Sequence, residues 1–399
     1  MKVEFFPSIL HGSITPPCSK SYAHRLLIAG ALSNNECVIN NVDFNNDILE
    51  TINALKVLGK EIDIKKNSVI LKGSITQKDN LEFTVLESGS TLRFIIPIAL
   101  VYSKNVKFNC SERLIKRGID VYKNVFKEHN IETIIKDKSI EFAGRLSPGE
   151  YVIPGNISSQ YVTGLLFALS LLDKTSYLRV IKPIESEDYI NITLDVLKLA
   201  KVVVSNDDYL YKISPSEYKL NNSTVEADYS NAAFIDSLNI LGGKITLNNL
   251  NKESKQGDKV YIEMFKKLSY GYEEIDIKNC IDLGPILMAY AALNHGAKLN
   301  GTKRLAIKES NRAIAMKEEL NKYGVDVEVY DDYVIVHKCD IHSPYEDINS
   351  HNDHRIAMSM ALVAFKYGGT ITNFEAINKS YPKYLDDVKC LKGEVKIYE

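Results

Sequence analysis

The fold of this 399-residue chain is decided by residues 158–172, SSQYVTGLLFALSLL. A small polar turn opens an apolar run that is long enough for roughly three to four helical turns. Five other stretches have the same layout: SKSYAHRLLIAGAL at 19–32, SGSTLRFIIPIAL at 88–100, DYSNAAFIDSLNILGG at 228–243, DLGPILMAYAAL at 282–293 and NDHRIAMSMALVAFKYGG at 352–369. The six starts are 69, 70, 70, 54 and 70 residues apart, which indicates internal duplication of one supersecondary unit.

Each repeat also contains β-rich segments and, in most cases, a second and more polar helix. Strands are predicted at Val69–Lys72 and Lys244–Leu247. A hairpin is predicted in which the strands Val325–Tyr330 and Val334–Lys338 are joined by the turn Asp331–Tyr333. Second helices are predicted at Asn46–Leu58 and Ser310–Tyr323. This pattern predicts an α/β protein in two halves, in which the apolar helices are buried because they have no polar face. The short interval of 54 residues indicates that one half ends near Glu226.

Length and composition indicate an ordinary globular protein of two domains. Hydrophobic residues make up 45% and charged residues 25%, and the net charge of −2 favours neither nucleic acid nor a membrane surface as a partner. The six cysteines are widely spaced, which is typical of reduced thiols: Cys18, Cys37, Cys110, Cys280, Cys339 and Cys390. The N-terminus lacks a signal-peptide or transit-peptide layout, and the apolar runs are too short to span a bilayer, so we expect a cytoplasmic protein.

The helix starts carry cationic side chains, and this pattern points to an anion site. The unpaired N–H groups of a helix N-terminus attract anions, although a Ser, Asp or Asn there can equally be a plain N-cap. The cations beside these turns are Lys20, Arg25, Arg93, Arg113, Lys116, Arg117, Lys308, Arg312, Arg355 and Lys379. Because arginine pairs strongly and directionally with phosphate and carboxylate, the sequence predicts a site for one or more small polyanions.

Two carboxylates lie among these cations, and their role stays open between two interpretations. Asp282 opens an apolar helix, and Glu309 lies between Lys308 and Arg312. They form either surface ion pairs or carboxylates tuned by neighbouring cations for proton transfer. His351 and His354 have the spacing of a metal pair, but no third ligand completes a set, so no metal is predicted. G-x-S-x-G, P-loop and G-x-G-x-x-G motifs are absent from the sequence.

Nine short motifs in order resemble those of the 5-enolpyruvylshikimate-3-phosphate synthase family. They are SKSYAHR, SGSTLRF, RLIKRG, SSQYVTG, SEDYINIT, IDLGP, KESNR, NDHRIAM and NKSYP, and they extend from about residue 12 to residue 386. The resemblance implies a two-domain inverse α/β barrel-like fold, with three β-α-β-α-β-β units and buried parallel helices in each domain. One domain would hold residues 18–226 and the other residues 1–17 with 227–399, with the active site in the cleft between them.

The resemblance also implies a reaction and a set of site residues. The family transfers the enolpyruvyl group of phosphoenolpyruvate to the 5-hydroxyl of shikimate 3-phosphate and releases phosphate through a tetrahedral ketal, without a cofactor. The implied catalytic residues are Lys20, Asp282 and Glu309. The implied shikimate 3-phosphate ligands are Lys20, Ser21, Arg25, Ser158, Ser159, Gln160, Ser186, Tyr189, Asp282 and Lys308. The implied phosphoenolpyruvate ligands are Lys20, Gly89, Arg117, Gln160, Arg312, His354, Arg355 and Lys379.

Several positions depart from the usual family pattern. Cys18 stands where a glycine is common, Glu87–Ser88 replaces an Asn–Ala or Asn–Ser pair, Phe94 replaces a proline, and Arg304 replaces an Asn of some members. None of these changes removes a charged group that the chemistry needs. Gly89 is retained and leaves room for the inhibitor glyphosate, while Glu87 leaves the degree of sensitivity open. We expect a monomer.

Two other functions compete with this interpretation. The sister enzyme that modifies UDP-N-acetylglucosamine shares the fold and usually carries a reactive cysteine shortly before the arginine matched by Arg117. Here Glu112 occupies that position and Cys110 lies two residues further away, so the resemblance favours the shikimate branch. A non-catalytic anion-binding homologue is the second alternative. This alternative is disfavoured because the residues that the reaction needs are present, namely Lys20, Asp282, Glu309 and Lys379.

Overall fold

The structure is a computed structural model and describes residues 1–398. The chain divides into two compact units, one formed by Cys18–Glu226 and the other by Met1–Pro17 together with the chain from Ala227 onward. Each unit has its own hydrophobic core. Among the described residues, no helix is both long enough and apolar enough to cross a membrane.

The first part of the chain contains fourteen strands and seven helices. They are β1 (Lys2–Phe5), β2 (His11–Ile14), α1 (Lys20–Leu32), β3 (Cys37–Asn40), α2 (Asn46–Leu58), β4 (Glu61–Ile64), β5 (Ser68–Lys72), β6 (Asn80–Thr84), α3 (Gly89–Tyr102), β7 (Asn105–Asn109), α4 (Glu112–Lys116), α5 (Asp120–Glu128), β8 (Glu132–Ile135), β9 (Ser139–Ala143), β10 (Glu150–Pro154), α6 (Ser159–Leu169), β11 (Ser176–Ile181), α7 (Glu187–Leu199), β12 (Val204–Asp207), β13 (Leu210–Ile213) and β14 (Ser223–Thr224).

The rest of the described chain adds eight strands and six helices. They are α8 (Tyr229–Asp236), β15 (Lys244–Leu247), α9 (Tyr261–Tyr270), β16 (Glu273–Asp276), α10 (Gly284–Ala292), β17 (Ala297–Asn300), α11 (Arg312–Asn321), β18 (Val327–Val329), β19 (Tyr333–Val336), β20 (Ile348–Asn349), α12 (His354–Tyr367), β21 (Gly369–Thr372), α13 (Tyr384–Cys390) and β22 (Val395–Tyr398). Short 3-10 helices lie at Ser237–Leu241, Gly257–Val260, Ile281–Leu283, Lys303–Ile307 and Phe374–Lys379.

The unit Cys18–Glu226 contains three four-stranded sheets with one common arrangement. Their strand orders are β14-β3-β5-β4, β6-β7-β9-β8 and β10-β11-β13-β12. In each sheet the first pair is parallel and the other two pairs are antiparallel. This repetition confirms the predicted α/β class and the duplicated supersecondary unit.

The other unit repeats the arrangement with the help of the N-terminal residues. One sheet has the order β16-β17-β19-β18 and the same pattern of parallel and antiparallel pairs. In the sheet β20-β21-β1-β22, β1 lies antiparallel between β21 and β22, with Val3 opposite both Ile371 and Ile397. β2 pairs in parallel with β15. The first 14 residues therefore complete two sheets of a unit whose other strands begin at Lys244.

The apolar helices are buried, as their composition predicts. Eleven residues of α1 and twelve residues of α12 are buried, and α3 and α6 are buried to a similar extent. Two of the six predicted helices are shorter than expected. α8 ends at Asp236 and continues only as a 3-10 helix, and α10 begins at Gly284 because Pro285 has no N–H group and therefore suits a first turn.

Most of the other predicted elements are present with small shifts at their ends. Lys244–Leu247 and Asn46–Leu58 have the predicted bounds, and the predicted hairpin forms with β19 beginning at Tyr333. The predicted helix Ser310–Tyr323 is shorter, Arg312–Asn321, because Asn311 is its N-cap and accepts from the Ile314 N–H.

Candidate active site

The start of α1 places Lys20 in an ion pair. Ser19 caps the helix, and its hydroxyl faces the N–H of Tyr22. The Nζ atom of Lys20 lies 2.7 Å from Oδ2 of Asp47, in the first turn of α2. Asp47 was not singled out in the sequence, although an acidic residue just after the N-cap Asn45 is a common helix-start signal. Helix α2 therefore fixes the position of the lysine.

Arg25 is buried one turn further along α1 and is surrounded by neutral acceptors. Its guanidinium donates to the hydroxyl groups of Thr193 and Thr163 and to the carbonyl oxygens of Ser21 and Tyr189 at 2.8–3.1 Å. These bonds use four of its five N–H groups. Burial lowers the pKa of Arg25 to about 10, so the side chain remains a cation at neutral pH.

Arg93, Gln160 and Arg117 form a second polar group in this unit. Arg93 donates to Oε1 of Gln160 at 2.7 Å, and Gln160 donates to Oγ of Ser90 at 2.9 Å. Arg93 also donates to the carbonyl oxygen of Arg117. A Cβ atom on Gly89 would lie 2.8 Å from Nη2 of Arg117, so glycine allows this guanidinium to approach the start of α3. The predicted residues Gly89, Gln160 and Arg117 are therefore neighbours.

The remaining predicted residues of this unit lie at two further helix starts. Ser158 caps α6 and accepts from the N–H of Gln160, and Ser159 is buried. Ser186 is buried and takes a left-handed φ of 56° immediately before α7. Tyr189, in the first turn of α7, contributes the carbonyl oxygen that Arg25 contacts. Helices α1, α6 and α7 thus meet at Arg25, which contacts Thr163 of α6, Thr193 of α7 and, among the predicted shikimate 3-phosphate ligands, Ser21 and Tyr189.

In the other unit, three cations converge on the carboxylate of Asp282. Oδ1 of Asp282 lies 3.1 Å from Nζ of Lys308 and 2.9 Å from Nη1 of Arg312, and Oδ2 lies 3.1 Å from Nη2 of Arg355. Burial raises the pKa of Asp282, but Arg355, Lys308 and Arg312 outweigh burial and keep the pKa well below its ordinary value. The interpretation as an isolated surface ion pair is therefore wrong.

Arg312 is the centre of this group and is held by carboxylates on three sides. Besides Asp282, it donates to Oε2 of Glu309 at 2.6 Å and to Oδ2 of Asp353 at 2.9 Å. Arg312 and Asp353 are only 1% and 0% exposed. Burial lowers the pKa of Arg312, but the carboxylates outweigh burial and raise the pKa above its ordinary value. The guanidinium therefore remains charged in this buried position.

Asp353 is a functional candidate that the sequence analysis missed. It caps α12 by accepting from the N–H of Arg355 at 3.0 Å, and Ser310 donates to it at 3.0 Å. Burial raises its pKa, but Arg312 outweighs burial, so the pKa is lowered. The available signal was an Asp directly before the first turn of an apolar helix, which indicates a cap but not an ion pair with Arg312.

Asp258 is a second residue that the sequence did not reveal. It is buried in the short helix Gly257–Val260 and accepts a hydrogen bond from Ser230, whereas its Oδ1 atom has no hydrogen-bond partner. Burial, together with the charge of Asp282, raises the pKa of Asp258 to about 7. Arg355 opposes this shift only in part. The unit therefore contains one aspartate kept ionised and a neighbouring aspartate that titrates near neutral pH.

Lys379 and the histidine pair lie around the start of α12. Lys379 donates to the carbonyl oxygen of Asn352 at 3.0 Å, and His354 is buried as the first residue of the helix. His351 instead contacts Glu319, with Nε2 at 2.8 Å from Oε1. Among residues 1–398, one group has the spacing of a metal site, Glu318, Glu319 and His351. Lys322 pairs with Glu319 at 2.9 Å, so an ion pair accounts for this group.

The positions that depart from the family pattern have structural partners within their own units. The N–H of Cys18 donates to Asp43 at 2.6 Å, and the Phe94 ring packs against the Arg25 guanidinium with 5.0 Å to its centroid. Arg304 donates to the carbonyl oxygen of Lys278 at 2.7 Å. Burial raises the pKa of Cys110 to about 12, so this thiol is not suited to act as a nucleophile at neutral pH.

Solved structures first define the class of protein. The structure of EPSP synthase from Acinetobacter baumannii matches this chain with a TM-score of 0.79 and 20% identity, covering 99% of this chain and 100% of that one. The enolpyruvyl transferase NikO from Streptomyces tendae matches with a TM-score of 0.77 and 13% identity, covering 99% and 98%. The chain therefore has the fold of the enolpyruvyl transferases.

The sequence comparisons are more specific. The family model of EPSP synthase (3-phosphoshikimate 1-carboxyvinyltransferase) matches residues 6–388, so the chain belongs to the EPSP synthase family. A 3-phosphoshikimate 1-carboxyvinyltransferase of Clostridium perfringens is 38% identical over 99% of this chain and 99% of its own length. One of Clostridium acetobutylicum is 37% identical over 98% of each. The resemblance seen in the sequence motifs is thereby confirmed.

Proposed function

We propose that this chain catalyses the reaction for which its family is named. It transfers the 1-carboxyvinyl group of phosphoenolpyruvate to the 5-hydroxyl of shikimate 3-phosphate, a step of the shikimate pathway towards aromatic amino acids. The observation that carries the proposal is the convergence of Lys308, Arg312 and Arg355 on Asp282, in a chain that belongs to this family along its length.

The cations of the unit Cys18–Glu226 serve mainly to bind the anions. Arg25 contacts neutral oxygens through four of its N–H groups. Its fifth N–H group donates to shikimate 3-phosphate when this substrate binds. The helix starts at Ser158 and Ser186 supply hydroxyl groups to the same substrate, together with Ser159, Gln160, Ser21 and Tyr189. Arg117, next to Gly89, binds phosphoenolpyruvate with Lys20 and Gln160.

The carboxylates of the other unit serve mainly in proton transfer. The oxygen of the 5-hydroxyl attacks C2 of phosphoenolpyruvate, Asp282 accepts the hydroxyl proton, and C3 gains a proton to give a tetrahedral ketal. The ketal loses inorganic phosphate while C3 loses a proton, which leaves the enolpyruvyl ether. Glu309 and Lys20 handle the C3 proton. Lys308 also binds shikimate 3-phosphate, while Arg312, Arg355, His354 and Lys379 bind phosphoenolpyruvate.

Substrate binding changes the basicity of Asp282 in the direction that the reaction needs. In the structure, three cations hold its pKa well below the ordinary value. When the phosphate and carboxylate of phosphoenolpyruvate compete for Arg312 and Arg355, the attraction on Asp282 weakens and its pKa rises. The carboxylate is therefore ionised before the substrates bind and becomes a better base once they are bound.

We further propose that the chain acts in the cytoplasm as a monomer and needs no metal or organic cofactor. None of the six cysteines, all among the described residues, forms a disulfide, and four of them are buried, which suits a reducing compartment. Size-exclusion chromatography with light scattering tests the monomer, and activity after exhaustive chelation tests the independence from metals.

The function is tested by measuring phosphate release from phosphoenolpyruvate by the purified chain, with either acceptor and without added metal. We expect release with shikimate 3-phosphate only. Release only with UDP-N-acetylglucosamine would assign the chain to the sister reaction. Calorimetric binding of shikimate 3-phosphate without any turnover would identify a non-catalytic homologue.

A further inference from the structure

Glu50 binds three consecutive backbone N–H groups of the segment that leads into α3. Its Oε1 atom accepts from the N–H groups of Leu86 and Glu87 at 3.2 and 3.1 Å, and its Oε2 atom accepts from that of Ser88 at 3.0 Å. Consecutive N–H groups directed at one point form a concave anion site. Here the carboxylate of Glu50, on helix α2, occupies that site.

The segment 86–88 is connected to the phosphoenolpyruvate residues of the proposed function. Its next residue is Gly89, and the carbonyl oxygen of Glu87 accepts from Nη1 of Arg117 at 3.3 Å. A Cβ atom on Gly89 would lie 2.8 Å from Nη2 of the same arginine. The position of this segment therefore sets the space and one of the hydrogen-bond acceptors that the guanidinium of Arg117 has.

Other contacts hold the two ends of the segment, and Glu50 also binds its middle residue. Ser111 donates to the carbonyl oxygen of Leu86 at 2.6 Å. The hydroxyl group of Ser88 contacts that of Thr91 at 2.7 Å, and Thr91 contacts Thr51 at 2.6 Å. The N–H of Glu87 has Glu50 as its acceptor. An anionic acceptor is favoured because hydrogen bonds to charged groups are roughly twice as strong as neutral ones.

We propose that Glu50 is a positioning residue for phosphoenolpyruvate: it holds residues 86–88 so that Arg117 and Gly89 form the binding surface for this substrate. Burial raises the pKa of Glu50, and the three N–H groups oppose that shift. The inference rests on the proposed function. This role adds to the site a residue, Glu50, that lies outside the nine motifs. It also explains how the backbone of Glu87, whose carboxylate lies beside the anion site, is kept in a defined position.

The test is steady-state kinetics of Glu50→Gln, with each substrate varied while the other is saturating. A glutamine offers one acceptor oxygen, and its amide N–H groups cannot accept, so at least one backbone N–H loses its partner. We expect the KM for phosphoenolpyruvate to rise about tenfold, and the KM for shikimate 3-phosphate and kcat to change less than about threefold. Glu50→Asp, which keeps the charge on a shorter stem, should give an intermediate KM. The exposed Glu128→Gln should behave as wild type.

A double-substitution experiment separates positioning from a general loss of structure. In an Arg117→Lys background, Glu50→Gln should raise the KM for phosphoenolpyruvate less than about twofold. The reason is that the guanidinium that Glu50 positions is absent from this variant. Unchanged KM values, or a parallel rise of both KM values with a lower melting temperature, would overturn the inference. If Glu50→Gln does not fold, the same criteria apply to Glu50→Asp. A wild-type chain that releases no phosphate would overturn the proposed function and this inference with it, whereas an active wild type with unaffected variants would overturn the inference alone.

Discussion

Two buried arginines of this molecule are surrounded by opposite kinds of partner. In the unit Cys18–Glu226, Arg25 donates to hydroxyl and carbonyl oxygens. In the other unit, Arg312 donates to three carboxylates. These carboxylates belong to Asp282, Glu309 and Asp353.

The difference separates two tasks that both require positive charge. A cation held by neutral dipoles keeps its full charge, so it attracts a dianionic substrate. A cation held by carboxylates also keeps its charge, but that charge is balanced locally by the carboxylates, and in return it keeps them ionised in a site where burial would otherwise protonate them. We therefore expect substitutions in the first unit to change mainly substrate affinity, and those in the second to change mainly catalysis and stability. Lys20 is intermediate, since it is a cation of the first unit that pairs with Asp47.

The largest effect is expected for Asp282→Asn. The amide keeps the shape of the side chain but cannot accept the hydroxyl proton, so kcat should fall about a thousandfold. The measurement is phosphate release with both substrates saturating. Asp326→Asn, at an exposed aspartate of the same unit, is the control and should have wild-type kcat. A kcat within tenfold of wild type would contradict the catalytic role and the division of tasks.

The next largest effect is expected for Asp353→Asn, measured as the free energy of unfolding in denaturant. The asparagine can still cap α12, but it leaves the Arg312 charge with one carboxylate fewer, so we expect a loss of about 3 kcal/mol at pH 7. Because the pKa of Asp353 is lowered in the folded state, its stabilisation is present above the ordinary aspartate pKa.

The pH dependence provides the control for that substitution. As the pH falls below about 4 and through the lowered pKa of the folded state, the wild-type chain loses the charge of Asp353 and the two proteins should approach equal stability. A difference that stays constant from pH 7 to pH 3 would show that the loss comes from packing and not from the ion pair.

The sequence predicted those features of the fold and of the site that depend on residues close together along the chain. Each of the six apolar helices was recognisable because its start and its buried run are contiguous, and Asp282 was selected because it opens one of them. Glu309 and Arg312 were selected because a carboxylate lies among cations at residues 308–312. The resemblance to a family supplied the expectation that Lys308 and Arg355 belong with Asp282. The contacts around Asp282 in the structure bring these residues together.

Partners that are distant in sequence could not be predicted in the same way. Asp353 is 41 residues from Arg312, and Glu50 is 37 residues from Glu87. Both contacts depend on helix packing, which a local pattern does not contain. Asp258 lies in a polar stretch that reads as an ordinary surface loop, whereas the structure buries it. Burial of a charged group in a loop has no signature in a single sequence.

Asp258→Asn, in the same unit as Asp353, tests a pH dependence of the free energy of unfolding that has the opposite sign. The pKa of Asp258 is raised to about 7 in the folded state, so the stability linked to its proton is fully present below the ordinary aspartate pKa of about 4 and is lost as the pH rises from there through 7. Since asparagine stays neutral, the stability of the variant relative to wild type should increase by about 2 kcal/mol between pH 5 and pH 8. Denaturant unfolding at both values checks this. A constant difference would show that Asp258 does not titrate in this range.

The smallest effect is expected for Gly89→Ala, and it tests the cations of the unit Cys18–Glu226. The new Cβ atom would lie 2.8 Å from Nη2 of Arg117 and 3.0 Å from Nη1 of Arg93, which are the ends of flexible side chains. The guanidinium of Arg117 can therefore move at little cost in stability, and we expect an unfolding free energy within about 1 kcal/mol of wild type. The KM for phosphoenolpyruvate should rise about tenfold, because the displaced guanidinium no longer lies where it binds the substrate.

Gly271→Ala is the matched control, since no heavy atom lies within 4 Å of the added Cβ position and both kinetic constants should stay at wild-type values. If Gly89→Ala instead lowered kcat and left the KM for phosphoenolpyruvate unchanged, Arg117 would act on the transition state and not on substrate binding. The two units would then share the catalytic task. The hydroxyl and carbonyl oxygens around Arg25 would then serve only to hold this side chain in place and not to preserve its charge for substrate binding. A change confined to the KM for phosphoenolpyruvate would support the separation of an anion-binding unit from a proton-transfer unit.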